Sequence, residues 1–246
     1  MVCVLPGSSG NVIIVGAHFD HVSKGDGVVD NWSGASLLPS LYQATKFEPR
    51  RHSYIFVGFT DEETGEVGSH FYAGKMSKEE VAATDAMVNM DTLGLAAPKV
   101  WTTHSDKRLS SALVYIGKQL NVPVTGVNVE QVGNTDSVQF AKRKIPSITI
   151  HSLTQETWNA HILHTPNDKF SAIRLDDYYQ TYKLVTALLC NQVNSNRQLL
   201  QRLLNFVADG RDHICVDHLV DFFALFDHHE MQIYRRKRIP GDDDHC

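Results

Sequence analysis

The sequence of 246 residues predicts an α/β fold of three layers, in which helices cover both faces of a central, mostly parallel or mixed sheet. Two observations predict this fold. Short runs rich in Val and Ile recur without strict alternation of polar and apolar residues, which is typical of strands covered on both faces. Amphipathic segments of helical length lie between these runs. The length suits one such domain, either alone or with an appendage.

Four runs are predicted as the main strands of the sheet. They share strand length and a high content of β-branched residues. In chain order they are residues 11–19 (NVIIVGAHF), 53–60 (SYIFVGFT), 86–91 (AMVNMD) and 146–152 (PSITIHS). Sheets of this kind bind ligands at the carboxyl ends of their strands, so the residues that follow these runs are the first candidates for a site.

The segments between and after the strands are predicted as helices. The first of them contains Pro39, which should kink or divide it. The most regular amphipathic pattern ends at Asn121 and Pro123. In chain order the helical segments are residues 33–47, 106–121, 135–144 and 175–193.

The character of the sequence changes near residue 195, and we place a domain boundary there. Residues 1–195 carry all the strand runs and form the predicted α/β domain. Residues 196–246 contain two amphipathic segments and a polar end, which predicts a C-terminal helical appendage.

Composition and charge exclude several classes of function. The formal net charge of −5 argues against a nucleic-acid or anionic-membrane partner, because such partners favour a basic face. No apolar run is long enough to predict a transmembrane helix, and no secretory signal opens the chain. The four cysteines are scattered and lack the close pairs of zinc modules. We interpret them as reduced thiols, with one disulfide left open.

Hard oxygen and imidazole ligands follow most of the predicted strands. So many carboxylates at one edge of a sheet would repel one another and therefore require cations. A mixture of His, Asp and Glu without Cys favours zinc or a similar divalent metal in a catalytic site. Five such ligands are too many for one open tetrahedral site, and they suit two metals about 3.5–4 Å apart that share a carboxylate. The residues concerned are His18, Asp20, Asp30, Asp61, Glu62, Glu63, Asp91, His151, His164 and Asp168.

Five motifs occur in an order and with spacings that resemble one known family. They are GAHFD, VVDNWSGA, DEETGEVGS, NMDTLG and LHTPND, and the resemblance covers residues 12–193. The chain resembles the co-catalytic zinc exopeptidases, a family of bacterial secreted aminopeptidases that also includes plasma glutamate carboxypeptidase and glutaminyl cyclase. The resemblance implies their phosphorylase/hydrolase-like αβα fold. It also implies that residues 1–195 are a catalytic domain whose N-terminal part is missing.

The resemblance implies two zinc ions per chain and assigns a ligand set. His18 and Asp91 would bind one ion, and Glu63 and His164 would bind the other. Asp30 would bridge the two ions.

Further residues receive roles from the same resemblance. Glu62 would be the general base, and Asp20 would accept a hydrogen bond from the far nitrogen of His18. The peptide bond between Asp30 and Asn31 is commonly cis in the family. Asp136 and Asp168 are candidates for substrate contact.

Two positions depart from the family pattern. Leu163 stands where its aminopeptidases often carry an aromatic hydroxyl that holds the oxyanion. Ser137 replaces the histidine of a serine-aspartate-histidine loop, of which Asp136 keeps the aspartate.

The resemblance therefore implies a zinc-dependent metallo-exopeptidase, foremost an aminopeptidase acting on peptides with a free N-terminus through a metal-bridging water. A carboxypeptidase or dipeptidase, and a glutaminyl cyclase, remain open on the same fold. A metal-free binding domain is the alternative from another class. The family also implies a secreted or periplasmic location. The sequence leaves the oligomeric state open.

Overall fold

A computed structural model describes residues 1–129 and 133–193 of the chain. It contains a mixed seven-stranded sheet with the order β1-β3-β2-β4-β7-β5-β6. The four inner strands β3, β2, β4 and β7 run parallel, while β1 pairs antiparallel with β3 and β5 pairs antiparallel with β7. The bounds are β1 Val2–Leu5, β2 Val12–His18, β3 Ser53–Phe59, β4 Thr84–Met90, β5 Lys99–Val100, β6 Thr125–Gly126 and β7 Ser147–His151.

Helices cover both faces of this sheet, which confirms the predicted three-layer fold. One layer holds α1, α4 and α7, and the other holds α2 and α5. The bounds are α1 Ser33–Thr45, α2 Val67–Lys75, α3 Lys78–Ala83, α4 Lys107–Leu120, α5 Ser137–Lys142, α6 Gln155–Asn159 and α7 Leu175–Val193.

Both faces of the sheet are apolar because helices pack against each of them. On one face Ile14 of β2 packs in a cluster with Ala73 of α2 and Phe140 of α5. On the other face the hydroxyl of Tyr54 on β3 donates a hydrogen bond to the carbonyl of Leu189 in α7. Side chains on a strand point alternately to opposite faces, so a strand covered on both faces must be apolar throughout.

Pro39 does not divide the first helix, because α1 continues from Ser33 to Thr45 with Pro39 inside it. Pro39 lies on the exposed side of the helix. The carbonyl of Ala35, which loses its helical donor to the proline, lies one turn before Pro39 on that side and can turn towards water.

The predicted helical tail of residues 196–246 lies outside the described residues. Within them Cys3 and Cys190 are free thiols, as interpreted. None of the described helices is both long enough and apolar enough to cross a membrane.

Candidate metal centre

The inner parallel strands deliver the candidate ligand side chains to one edge of the sheet. His18 is the last residue of β2, Glu62 and Glu63 follow β3, and Asp91 follows β4 directly. Because these strands are parallel and adjacent, their carboxyl ends lie side by side and the side chains converge.

Two groups of three side chains result, and both include Asp30. In the first, Nε2 of His18 lies 3.3 Å from Oδ1 of Asp30 and 3.6 Å from Oδ1 of Asp91. In the second, Nε2 of His164 lies 3.2 Å from Oδ2 of Asp30 and 3.0 Å from Oε2 of Glu63. The possible ligand atoms of each group lie within 4.8 Å of one another. We call these groups the His18 triad and the His164 triad.

Asp30 reaches both triads from a short irregular turn, 28–32, that leads into α1. The peptide bond between Asp30 and Asn31 is cis, as the resemblance implies. The fully buried amide of Asn31 donates to the carbonyl of Met90 and accepts from the backbone N–H of Thr92. These two residues flank Asp91, so Asn31 ties the turn of the shared carboxylate to the end of β4.

His18 is oriented through its second ring nitrogen. Nδ1 lies 3.2 Å from the carbonyl oxygen of Asp20 and 3.6 Å from its carboxylate, so the backbone carbonyl is the nearer acceptor. The other carboxylate oxygen of Asp20 accepts a hydrogen bond from the backbone N–H of Glu63. Asp20 therefore links β2 to the loop after β3.

Two hydroxyls hold Asp91, and sequence reasoning did not identify either of them. Thr92 donates to Oδ1 and Thr135 donates to Oδ2, at 3.0 and 2.8 Å. The hydroxyl of Thr135 in turn accepts from the side-chain amide of Asn89. Thr92 lies in one of the quoted motifs, but no local signal places Thr135 against Asp91, because 44 residues separate them.

The carboxylates of the triads favour positive charge on both imidazoles. Burial alone lowers the pKa of His18, but Asp20, Asp30 and Asp91 outweigh burial and raise it well above its usual value. Hydrogen bonding to Asp30 and Glu63 raises the pKa of His164 to about 10. Both imidazoles therefore lie where positive charge is strongly favoured.

The donor set fits a pair of divalent ions. Each triad offers one imidazole and two carboxylates, and Asp30 presents a different oxygen to each. The second carboxylate oxygen of Glu63 is buried without a hydrogen-bond partner, although such groups are normally satisfied. Nitrogen and oxygen donors without sulfur suit zinc and similar ions.

Comparison with known proteins now identifies the family. A model described as peptidase family M28 matches residues 1–189. The chain belongs to peptidase family M28. It is 25% identical over 194 residues to aminopeptidase YwaD of Bacillus subtilis, a match that covers 76% of this chain and 42% of that protein. It is also 28% identical over 143 residues to leupeptin-inactivating enzyme 1 of Streptomyces exfoliatus, which covers 57% of this chain and 32% of that protein.

Solved structures share the fold of this M28 chain. BSAP, a zinc aminopeptidase from Bacillus subtilis, has a TM-score of 0.69 at 24% identity, over 76% of this chain and 47% of that one. Glutaminyl cyclase from Porphyromonas gingivalis has a TM-score of 0.66 at 18% identity, over 78% of this chain and 76% of that one. The M28 chain spans less than half the length of the curated relatives that it matches.

The proposed base, Glu62, lies beside the His18 triad of this M28 chain. Its Oε2 is 4.0 Å from Nε2 of His18. Burial and the neighbouring Asp91 carboxylate raise the pKa of Glu62 to about 9. Positive charge bound in the triads would favour its ionised form, because opposite charges close by stabilise a carboxylate.

The two candidates for substrate contact are both buried. Asp136 is 0% exposed, and burial raises its pKa to about 7. Asp168 is 2% exposed, and its carboxylate accepts hydrogen bonds from the backbone N–H groups of Val29 and Asp30. This burial gives substrate contact no support at either position.

Two further strand-end residues lie outside both triads. His151 ends β7, but its ring faces the carbonyl of Val127 and the backbone N–H of Leu153. Asp61 is exposed and adopts a left-handed backbone conformation at the start of the loop after β3.

Proposed function

We propose that this chain is the metal-binding core of a zinc-dependent aminopeptidase with two ions per chain. The observation that carries the proposal is the pair of triads that share Asp30 at the carboxyl edge of the sheet, with Glu62 beside them. Membership of family M28 and the similarity to named aminopeptidases support the activity. The substrate would be a peptide with a free N-terminus.

The residues of the chain divide into ligands and a base. His18 and Asp91 would hold one zinc ion, Glu63 and His164 the other, and Asp30 both. Zinc ions at such a pair of sites supply an acidic water and polarise the substrate carbonyl. The carboxylate of Glu62 accepts the proton of the attacking water and passes it to the leaving amine nitrogen.

Asp20, Asn31 and the two threonines that contact Asp91 keep these side chains in place. Oriented ligands of this kind bind metal more tightly, because less conformational freedom is lost on binding. Leu163 packs partly buried beside an apolar cluster and offers no hydroxyl to the oxyanion. The family resemblance also favours a secreted or periplasmic location for the protein.

The experiment measures bound metal and activity on one preparation. We expect about two zinc ions per chain and hydrolysis of aminoacyl arylamides, with no hydrolysis of the N-acetylated arylamides. Glu62→Gln should lower kcat by roughly 10²–10⁴-fold with its metal retained, because it removes a general base. Asp61→Asn is the matched control, since it changes the adjacent, exposed carboxylate and should retain activity.

Three results would contradict the proposal. Folded protein that binds no metal would indicate the metal-free binding domain instead of an enzyme. Cyclisation of an N-terminal glutamine peptide without arylamide hydrolysis would indicate a glutaminyl cyclase. Release of C-terminal residues instead of N-terminal ones would indicate a carboxypeptidase.

A further inference from the structure

The carboxylate of Asp168 contacts the backbone that carries the shared ligand. Oδ1 accepts a hydrogen bond of 2.6 Å from the N–H of Val29, and Oδ2 accepts one of 3.2 Å from the N–H of Asp30. Two consecutive amides of the turn 28–32 are therefore bound by one buried side chain. This fixes the position and the direction of the peptide from which the Asp30 side chain extends.

The backbone of residues 165–168 contacts the glycine-rich loop that precedes Asp30. The N–H of Asp26 donates to the carbonyl of Asp168 at 3.0 Å. A Cβ atom at Gly25 would lie 2.2 Å from the carbonyl oxygen of Thr165, and Gly25 has φ +93°. Only glycine allows the loop to approach the turn at 165–168 so closely.

That turn begins immediately after His164. The N–H of Asp168 donates to the carbonyl of Thr165, and the hydroxyl of Thr165 donates to the carbonyl of His161. One of these bonds closes the turn after His164, and the other ties that turn to the residues before His164. Asp168 joins this turn to the turn 28–32, which carries Asp30.

We infer that Asp168 is a positioning residue that locks the turn of Asp30 to the turn of His164, and so sets the geometry of the His164 triad. The inference rests on the proposed metal site. The His18 triad shares Asp30, but it is also anchored through Asn31 and the threonines around Asp91. Loss of the Asp168 contacts should therefore weaken the ion in the His164 triad most.

The chemistry requires a carboxylate of this length. Asparagine has one acceptor oxygen, so its NH₂ group would face one of the two backbone N–H donors. Glutamate keeps both acceptors and the charge, but its extra methylene displaces them from the two amides. Asp168→Asn should therefore disturb the triad strongly, and Asp168→Glu should disturb it less.

The test titrates metal-free protein with Co²⁺ alone and follows visible absorption, which reports ligand geometry without any turnover. We expect wild-type protein to bind two ions. In Asp168→Asn one of the two ions, which we assign to the His164 triad, should bind roughly 10–100-fold less tightly and with an altered spectrum, as is usual for groups that orient ligands. Asp176→Asn removes the same charge from the exposed first turn of α7 and should bind as the wild type does.

The outcomes separate this inference from the proposed function. Two ions bound equally well by wild type and Asp168→Asn would overturn the inference and leave the proposed metal centre standing. Wild-type affinity in Asp168→Glu would show that the exact placement of the two acceptor oxygens does not matter, and it would also overturn the inference. Absence of Co²⁺ binding by folded wild type would overturn both. If Asp168→Asn does not fold, the Co²⁺ affinity of Asp168→Glu tests the inference, and we expect it to be partly reduced.

Discussion

At the level of single residues, surroundings decide what each histidine can do. His18 and His151 both end a strand of the sheet and both are 1% exposed. Burial lowers the pKa of each, yet three carboxylates raise that of His18, whereas burial prevails at His151 and lowers its pKa to about 4. One imidazole is therefore suited to a cation site, and the other is a neutral part of the core.

The neutral state of His151 predicts a pH dependence of stability. Its Nδ1 accepts from the N–H of Leu153, so the proton lies on Nε2, which faces the carbonyl of Val127. Below pH 6.5 the imidazole of His151 is protonated in the unfolded chain, whereas in the folded chain it stays neutral down to about pH 4. Stability should therefore fall as the pH drops from 6.5 to 4, by up to about 3 kcal/mol from this group.

The measurement compares wild type with His151→Gln by urea unfolding in EDTA between pH 7 and 4.5. Glutamine offers an acceptor and a donor without a titrating proton, so the difference in unfolding free energy between the two proteins should shrink or reverse as the pH falls. Parallel curves would contradict the assignment of a neutral imidazole.

At the level of elements, α1 shows how a helix can tolerate a residue that usually breaks it. Pro39 lies on its exposed side, while Leu37, Leu38 and Leu41 are buried. The packing of this apolar face against β2, β3 and α7 stabilises the helix more than the missing hydrogen bond destabilises it. The first turn is secured separately, because the Asn31 side chain accepts from the N–H of Gly34.

Removal of this proline should stabilise the protein. Pro39→Ala restores an N–H donor for the carbonyl of Ala35 and relieves the contact of the ring with that carbonyl, which is worth roughly 1–3 kcal/mol. Urea unfolding measures the gain. Gln43→Ala, on the same exposed side one turn later, is the control and should change stability by less than about 0.5 kcal/mol. A less stable Pro39→Ala protein would show that the proline is needed for the local packing.

At the level of the whole molecule, the sheet gathers negative charge that its core does not neutralise. The parallel strands bring carboxylates from separate parts of the chain to one buried edge. In the metal-free protein the compensating charge comes from protonated His18 and His164, whose pKa values are raised for that reason. A bound ion that replaces these protons would bind only the folded chain, since the triads exist only there.

Metal should therefore raise the stability of the molecule as a whole. Free zinc at a thousandfold excess over its Kd adds about 4 kcal/mol by mass action. Thermal unfolding in EDTA and in zinc should show a higher Tm with the metal. Asp30→Asn, which removes the proposed shared ligand, should lose most of the shift. An equal shift in Asp30→Asn would mean that zinc binds elsewhere.

The sequence by itself determined the α/β fold, its inner strands and the residues that come to its functional edge. His18 ends a buried strand, and Glu62, Glu63 and Asp91 follow buried strands. Parallel strands place such positions at a common edge whatever the side chains are. The αβα layers are therefore predictable from local patterns. The pairing of His164 with these residues came instead from the motif resemblance.

Only the tertiary structure decided the contacts that orient the proposed ligands. Thr135 reaches Asp91 across 44 residues and Asp168 reaches Val29 across 139, and neither distance leaves a periodic or local trace in the sequence. The same holds for the two-residue strands β5 and β6, which are too short to show a pattern. The ends of strands can be predicted from the hydrophobicity of neighbouring residues in the sequence. Hydrogen bonds between distant loops depend instead on how the whole chain packs.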